Sequence, residues 1–325
     1  MSDIIDFATA VAETAGEPRA LLLGNGFSAR HFQYATLLEA SKLELGTPLR
    51  KLFSALDTVD FEKVVRALEE AIIVESAYGH DERAAELREH AQDVRTALVQ
   101  AIVTTHPTRR EELASQYDHC ATFLHNFEAV FSLNYDLLLY LGNLERRVLP
   151  DGFGFGKKQG LLFGPFNEKA HCALYNLHGG LHLFEDQAGN MHKAVKDGRN
   201  GKSVINAVTD IINEEHSMPV CVAEGSSTQK MQKINSVAYL RYCYEKLSSN
   251  ARTLFVFGHS ADENDEHIYK AVFNSKISKI YFGIYRPDTE TINKFTAQFA
   301  KYKALWKSPV AYYFYDSESA DVWGH

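Results

Sequence analysis

Polar side chains with catalytic potential follow three apolar, strand-like runs of the chain. The runs with their ends read LLLGNGFS at 21–28, VFSLNYD at 130–136 and LYNLHGG at 174–180. Because the carboxyl ends of parallel strands meet at one crevice, we expect Asn134, Asp136 and His178 to converge above a glycine turn. An amide can orient a ligand, and an imidazole that titrates near neutral pH can accept a proton. The sequence therefore predicts a site that processes a nucleotide.

The first of these ends is a glycine turn with the pattern G-x-G-x-x-A. It consists of Gly24, Asn25, Gly26, Phe27 and Ser28, followed by an alanine. Glycines in such a turn let the backbone approach a pyrophosphate, and a helix that follows offers free N–H groups. The alternative is an ordinary tight turn between a strand and a helix. No acidic residue ends a second strand about 20 positions later, which disfavours an ordinary dehydrogenase.

The other two strand ends also have structural interpretations. Asn134 or Asp136 could cap the helix that starts there, because both residue types accept hydrogen bonds from the first turn of a helix. His178 precedes two glycines after a strand. This placement favours an imidazole open to a ligand, and the alternative is a buried histidine whose hydrogen bonds are satisfied within the protein.

A fourth strand end reads LFVFGHSADENDEHI at 254–268. Gly258 supplies the turn, and the hydroxyl of Ser260 could bond a ribose or a phosphate. Asp265 is expected to cap the helix that follows. His267 lies inside that helix and is interpreted equally as a structural or a functional residue.

Three further polar residues follow another predicted strand and could face the same crevice. They are Glu224, Ser226 and Lys230. The lysine could pair with a phosphate, and the ordinary alternative is a solvated surface lysine. The sequence leaves the roles of all three open.

Seven apolar runs predict the strands that position these residues, at 19–24, 127–133, 173–177, 219–223, 253–257, 279–284 and 310–315. Helical periodicity alternates with them, at 136–144, 236–249, 264–275 and 288–299. Such alternation is typical of a doubly wound sheet. The predicted fold class is therefore α/β, a doubly wound and mostly parallel sheet in one domain over 1–325. We expect a helical insertion at about 45–127 and a mobile, glycine-rich flap at about 151–165.

Composition and charge exclude several function classes. The chain carries 34 Lys and Arg against 42 Asp and Glu, a formal charge of -8, and has no dense basic run. We therefore expect no nucleic acid partner. No apolar stretch reaches the roughly 20 residues of a membrane span, and the N-terminal stretch lacks the basic start of a secretory signal. We expect no membrane partner and a cytoplasmic protein.

The cysteines and histidines form no metal-binding pattern in the sequence. None of the 14 histidines lies in an H-E-x-x-H spacing, and the four cysteines form no C-x-x-C pair. The cysteines are Cys120, Cys172, Cys221 and Cys243. We expect free, mostly buried thiols and no metal ion.

Taken in order, GNGFS, LNYD, LHG and GHSADENDEHI resemble the motifs of the sirtuin-like superfamily. The likeness is to the bacterial sirtuin-like proteins that hydrolyse NAD in antiphage defence, and it extends from Leu21 to about Ile268. The stretch VAEGSSTQKMQKI followed by YLRYCYEKL is similar to an uncharacterised bacterial subfamily. Asn25 stands where the superfamily usually has alanine, and the zinc-binding cysteine pairs of protein deacylases are absent.

The resemblance implies a Rossmann-like sheet that binds NAD or a related nucleotide as substrate, without a metal. Asn134 would position water or ribose, and His178 would accept a proton. The nucleotide contacts implied are the glycine turn, Asp136, Gly258 and Ser260.

The activity that the resemblance implies is hydrolysis of the nicotinamide–ribose bond, giving ADP-ribose and nicotinamide. One alternative is a sensor that binds NAD or ADP-ribose without cleaving it, and another is an ADP-ribosyl transferase. Because constant NAD hydrolysis is toxic, we expect restraint by a homo-oligomer, by the flap or by a partner defence protein.

Overall fold

A parallel sheet of seven strands organises the protein, for which the computed structural model describes residues 4–31, 37–106, 113–154, 156–195, 203–222 and 226–324. With strands numbered in chain order, its members are β1 (Ile5–Asp6), β2 (Arg19–Leu23), β3 (Ala129–Ser132), β6 (Leu174–Asn176), β10 (Thr253–Phe257), β11 (Lys279–Ile284) and β12 (Ala311–Asp316). Their order across the sheet is β1-β12-β11-β10-β2-β3-β6. All neighbours pair in parallel.

The strand order identifies the type of parallel sheet. Without the edge strand β1, the order β6-β3-β2-β10-β11-β12 corresponds to 3-2-1-4-5-6 along the chain, as in doubly wound dinucleotide-binding folds. The order reverses between β2 and β10, so the crevice of the sheet lies beyond the carboxyl ends of these two strands. The predicted α/β, doubly wound and Rossmann-like fold class is confirmed.

Both faces of this sheet are buried, because its central strands are apolar at successive positions. Along β2, Ala20 and Leu22 pack into one core, and Leu21 and Leu23 pack into the other. The first core includes residues of α10 (Ala238–Ser248), α11 (Glu266–Asn274) and α12 (Thr289–Leu305). The second includes residues of α1 (Phe7–Glu13), α6 (Tyr117–Leu124) and α7 (Leu138–Arg146). Continuous apolar runs are typical of strands covered on both faces.

A second, antiparallel sheet of five strands is present that the sequence did not predict. Its strands are β4 (Lys157–Gln159), β5 (Leu162–Gly164), β7 (Gly179–Glu185), β8 (Met191–Ala194) and β9 (Pro219–Cys221). They lie in the order β4-β5-β8-β7-β9. The interpretation of 219–223 as a strand of the doubly wound sheet is therefore wrong, since β9 pairs with β7.

The glycine-rich segment at 151–165 belongs to this second sheet. It contributes β4 and β5, which pair with each other, and the side chain of Phe153 is buried. Phe155 lies outside the described residues. Mobility of the segment stays a prediction.

Besides α6, further helices occupy most of the described part of the range predicted for the insertion and extend beyond it. They are α2 (Leu37–Ala40), α3 (Pro48–Ala55), α4 (Phe61–Ala77) and α5 (Asp81–Thr105), together with α8 (Val204–Glu214) and α9 (Ser227–Ser236). Gly79 separates α4 from α5 with a φ of 79°, a left-handed conformation that glycine adopts readily. Apolar residues of α3, α4, α5 and α8 share a third core with Leu181, Phe184 and Ala194 of the second sheet.

Two further expectations can be compared with the described residues. All four cysteines are free thiols, with Cys120 and Cys243 buried and Cys172 and Cys221 partly so. Among the helices of the described ranges, none has the length and apolar character that crossing a membrane requires.

Candidate functional site

His178 stands where the chain leaves the parallel sheet and enters the antiparallel one, between β6 and β7. Its carbonyl oxygen accepts a hydrogen bond from the backbone N–H of Val222 at 2.8 Å. Gly179 follows with a φ of 68°, and a Cβ there would lie 2.1 Å from the carbonyl oxygen of Val220. Only glycine fits this contact, so the backbone beside His178 is fixed between the two sheets. The side chain of His178 is buried, so the expectation of an imidazole open to a ligand is wrong for this structure, and the alternative of a buried histidine describes it.

Asn134 lies at the equivalent position of the neighbouring strand. The register of β3 and β6 pairs Ser132 with Asn176, and Asn134 and His178 each come two residues later. The Leu177 N–H donates to the Ser132 carbonyl oxygen at 2.8 Å, so the contact between these two segments continues beyond the paired residues of β3 and β6. The structure therefore brings these two predicted residues to the same edge of the sheet.

The amide of Asn134 is only half satisfied. Its Nδ2 donates to the hydroxyl of Ser28 at 3.1 Å, and both side chains are buried. The Oδ1 atom is buried without a hydrogen-bond partner among the described residues. An unpaired buried carbonyl oxygen costs about 1–3 kcal/mol, so this atom is an acceptor that favours a ligand with an N–H or O–H donor.

A cluster of ionisable side chains surrounds His178. Its Nε2 atom lies 3.3 Å from the Nε2 of His267, and the Nδ1 of His267 lies 3.2 Å from the hydroxyl of Ser227. Burial lowers the pKa of His178 to about 3 and that of His267 to about 4. Both imidazoles are therefore neutral near pH 7, and their contact requires one Nε2 to carry the proton and the other to accept it.

Asp265 is the anion of this cluster. Its Oδ1 accepts from the ammonium of Lys230 at 2.7 Å and lies 4.0 Å from the Nε2 of His178, and its Oδ2 lies 3.3 Å from the Nε2 of His259. The Nδ1 of His259 accepts from the Ala261 N–H at 2.9 Å, so the proton of this imidazole sits on Nε2 and donates to Asp265. Burial alone would raise the pKa of Asp265, but the hydrogen bond from His259 and the ammonium of Lys230 hold it well below its usual value.

Two expectations about this cluster are wrong. Asp265 makes no side-chain capping bond to α11, because its carboxylate is engaged by Lys230 and His259. Lys230 is not a solvated surface lysine, since its side chain is only 11% exposed. Ser226 caps α9 through a reciprocal pair of bonds with Gln229, and Glu224 lies outside the described residues.

The glycine turn after β2 packs directly on the turn after β10. A Cβ on Gly24 would lie 2.6 Å from the carbonyl oxygen of Gly258, and one on Gly26 would lie 2.5 Å from the Gly258 Cα. Gly258 itself has a φ of 68°. The three glycines are therefore needed for the close approach of two backbone turns at the point where the strand order reverses.

This packing uses the backbone groups that were expected to hold a phosphate. The N–H of Gly24 donates to Phe257, that of Gly26 to Gly258, that of Phe27 to Gly24 and that of Ser28 to Asn25, at 2.7 to 3.0 Å. Residues Asn25–Phe27 form a single turn of 3₁₀-helix, not the start of an α-helix. The expectation of free backbone N–H groups in this turn is therefore wrong for four residues, because these N–H groups donate to carbonyl oxygens of the protein.

The remaining predicted contacts differ in exposure. Phe27 is buried against Trp323 with ring centroids 4.9 Å apart, and the indole N–H of Trp323 donates to its carbonyl oxygen at 2.6 Å. Asn25 and Ser260 are exposed beside the turn, where they are open to a ligand.

Asp136 makes the contact of the helix-capping alternative. Its carboxylate accepts from the backbone N–H of Leu138, the first residue of α7, at 2.8 Å. Its charge also raises the pKa of His106, although burial has the larger effect and lowers it. The described contacts of Asp136 are thus within the protein.

A cleft of about 760 Å³ opens beside the ionisable cluster. Its walls come mainly from α3, α4 and α9, and they include Lys230. Val222, which holds the His178 backbone, also lines it. The sequence predicted neither this cleft nor the contributions of Ser227 and His259, although both residues lie within the stretches compared with the sirtuin-like proteins. The folded structure is needed to show which polar residues of those stretches contact one another.

A family described as a domain of unknown function (DUF4917) matches residues 21–323. The chain belongs to the DUF4917 family. No curated protein matches the chain. The DUF4917 match begins within β2 and contains Asn134, His178 and the whole ionisable cluster. Strand β1 and helix α1 lie before it.

Proposed function

We propose that this protein is an NAD glycohydrolase that cleaves the bond between nicotinamide and ribose. The observation that carries the proposal is the Oδ1 of Asn134, which is buried and has no hydrogen-bond partner within the described ranges. Asn134 lies level with His178 at the carboxyl edge of a Rossmann-like sheet. Dinucleotides bind at this edge in doubly wound folds. The ordered likeness of four strand ends to sirtuin-like proteins supports the same assignment.

The chemistry requires few catalytic groups. The bond from the ribose C1′ to the pyridinium nitrogen breaks, its electron pair stays on nitrogen, and nicotinamide leaves as a neutral molecule. A water oxygen bonds to C1′ after an oxocarbenium-like state, as in glycoside hydrolysis. One water proton passes to His178 and then to solvent. A positioned general base contributes about 10² to 10⁴ in rate.

The two predicted residues have complementary roles in this scheme. The Oδ1 of Asn134 accepts a hydrogen bond from a ribose hydroxyl or from the attacking water, and its Nδ2 stays bonded to Ser28. His178 is neutral, but burial lowers its pKa to about 3, which corrects the expectation of an imidazole that titrates near neutral pH. It can act as the base only when the cluster opens and this burial is relieved. The carboxylate of Asp265, 4.0 Å from its Nε2, favours the protonated imidazole that results. Exposed polar groups at Asn25 and Ser260 are the proposed contacts for the rest of the dinucleotide.

One observation favours a second candidate, a sensor that binds NAD or ADP-ribose without cleaving it. The His178 side chain is buried and its Nε2 is already in contact with His267. Hydrolysis therefore requires the ionisable cluster to open toward the ligand, whereas binding requires only that the buried Oδ1 of Asn134 become accessible. The closed cluster also agrees with an activity that an oligomer or a partner defence protein releases.

Purified protein incubated with NAD tests the proposal, with nicotinamide and ADP-ribose measured by chromatography. Wild type is compared with Asn134→Ala, His178→Ala and the surface control His171→Ala. We expect the control to match wild type and the two site variants to lose at least about 100-fold in rate. Equal rates in all four proteins would refute the assigned roles.

Two further measurements distinguish the hydrolase from a sensor and from a transferase. Calorimetry that shows NAD or ADP-ribose binding without product over hours would favour the sensor. Label from adenine-labelled NAD that stays on protein would indicate an ADP-ribosyl transferase.

A further inference from the structure

We propose that His178, His267 and Asp265 form a binding site for a divalent transition-metal ion of the zinc class. One ligand atom from each of the three residues lies within 4.8 Å of the other two. The residues come from the β6–β7 junction, the start of α11 and the turn before it. The inference rests on this juxtaposition and not on the proposed hydrolysis of NAD.

The separation of the two imidazoles suits a tetrahedral ion. Zinc–nitrogen bonds of about 2.0–2.1 Å at a tetrahedral angle place two nitrogens about 3.3–3.4 Å apart. The Nε2 atoms of His178 and His267 are 3.3 Å apart. An ion can therefore replace the proton between them without a change in this distance, provided that the rings rotate. The Oδ1 of Asp265, at 4.0 Å from His178 Nε2, must move closer by about 0.6 Å to reach the same spacing.

The cluster also contains the outer partners that protein metal sites use. A metal-bound histidine almost always has a hydrogen-bond partner on its second ring nitrogen, and ligand carboxylates are hydrogen-bonded in turn. The Nδ1 of His267 lies 3.2 Å from the Ser227 hydroxyl, and the Oδ2 of Asp265 is held by His259 at 3.3 Å. The Ser227 hydroxyl itself accepts from the His267 backbone N–H at 2.9 Å. Both proposed ligands are thus oriented with their inner atoms directed at His178.

Lys230 is the internal competitor for this site. Its ammonium lies 2.7 Å from the same Asp265 oxygen that would bind the ion. A metal ion must displace this ammonium or share the carboxylate with it, and the two positive charges repel each other. Removal of the Lys230 charge therefore strengthens metal binding, which is the opposite of its effect on an anion site.

The test measures metal binding directly on metal-free protein without nucleotide. Zn²⁺ binding is followed by calorimetry, and Co²⁺ binding by the absorption bands of the tetrahedral ion. The variants are His267→Gln, Lys230→Met and the surface control His171→Gln. We expect binding to weaken about 10-fold or more in His267→Gln, to strengthen about 10-fold in Lys230→Met and to stay unchanged in the control.

Either of two results would overturn the site. One is the absence of tetrahedral Co²⁺ bands in both wild type and Lys230→Met, which remains informative even where His267→Gln does not fold. The other is Zn²⁺ binding of equal strength in wild type, His267→Gln and Lys230→Met. Because no readout involves NAD, these results are separate from success or failure of the hydrolysis assay. A bound ion would occupy the Nε2 of His178, so added Zn²⁺ is expected to inhibit any NAD turnover.

Discussion

Replacement of Asn134 by leucine should leave the protein about as stable as wild type while it abolishes the function of the site. Leucine has the same branching as asparagine, so the change removes polarity. Its two methyl groups add some volume, and a second Asn→Leu substitution therefore serves as the control. It removes the unpaired Oδ1, whose burial costs about 1–3 kcal/mol, and it leaves the Ser28 hydroxyl without its 3.1 Å partner, at a similar cost. These opposing effects have the same expected size, so the net change is centred near zero and lies within about 2 kcal/mol of it.

Asn143 provides a matched control in the same part of the fold. It is also a buried asparagine, but its Nδ2 donates to the Leu149 carbonyl oxygen and its Oδ1 accepts from the Leu149 N–H, both at 2.8 Å. Asn143→Leu leaves two backbone groups of Leu149 unpaired. At about 1–3 kcal/mol for each group, we expect a destabilisation of about 2–6 kcal/mol.

Urea unfolding followed by fluorescence measures both variants against wild type, and the nicotinamide assay measures the rate of Asn134→Leu. We expect a near-zero change in unfolding free energy and a loss of turnover of about 100-fold or more for Asn134→Leu. If this variant is destabilised as strongly as Asn143→Leu, its carbonyl oxygen has a structural partner and the reasoning fails. Wild-type turnover in a stable Asn134→Leu protein would equally refute its role.

Three other outcomes are expected from the packing and burial of single residues. Gly26→Ala places a Cβ 2.5 Å from the facing turn and should cost about 1–3 kcal/mol in thermal unfolding. Gly154→Ala meets nothing within 4 Å among the described residues and should be neutral. Burial lowers the pKa of His182 to about 3, so its contribution to stability is complete above about pH 6.5 and is lost as the pH falls toward 3. This loss amounts to about 2 kcal/mol between pH 6.5 and 5, is measurable by urea unfolding, and should be absent in His182→Gln. Burial raises the pKa of the Cys120 thiol to about 12, so mass spectrometry should detect its alkylation by iodoacetamide only after unfolding.

The parallel sheet could be predicted because its strands have a strong local signal. Strands buried on both faces need continuous apolar residues, and Thr253–Phe257 and Lys279–Ile284 agree with the sequence to the residue. The second sheet gives no such signal. Strand Lys157–Gln159 is exposed at all three positions, and Pro219–Cys221 has the apolar character of a central strand although it pairs with β7. A short apolar run can join either sheet. The strand with which it pairs decides the outcome, and the local sequence pattern carries no information about that partner.

The candidate site also contains some residues that the sequence could predict and others that it could not. Parallel strands that end in register bring Asn134 and His178 together, so a rule about strand ends was sufficient. The partners of His178 come from elements far along the chain, and neither Asp265 nor Lys230 has a spacing that indicates their ion pair. The spacing of Gly24 and Gly26 predicts a phosphate-binding turn. A close contact between two protein backbones requires the same residue type, so the sequence pattern does not distinguish the two.

The charge balance of the ionisable cluster explains how the same side chains can support both the proposed NAD hydrolysis and the proposed metal binding. Asp265 and Lys230 cancel each other, and the imidazoles of His178 and His267 are neutral, so these four side chains together carry no net charge and tolerate burial. A proton on His178 adds one positive charge beside the Asp265 carboxylate, and a divalent ion adds two, which the Lys230 ammonium opposes. The cluster takes up this proton only when it opens toward the ligand, because burial in the closed cluster lowers the pKa of His178 to about 3. Metal binding requires that Lys230 move away or be replaced, and for this reason the Lys230→Met variant separates the two forms of chemistry.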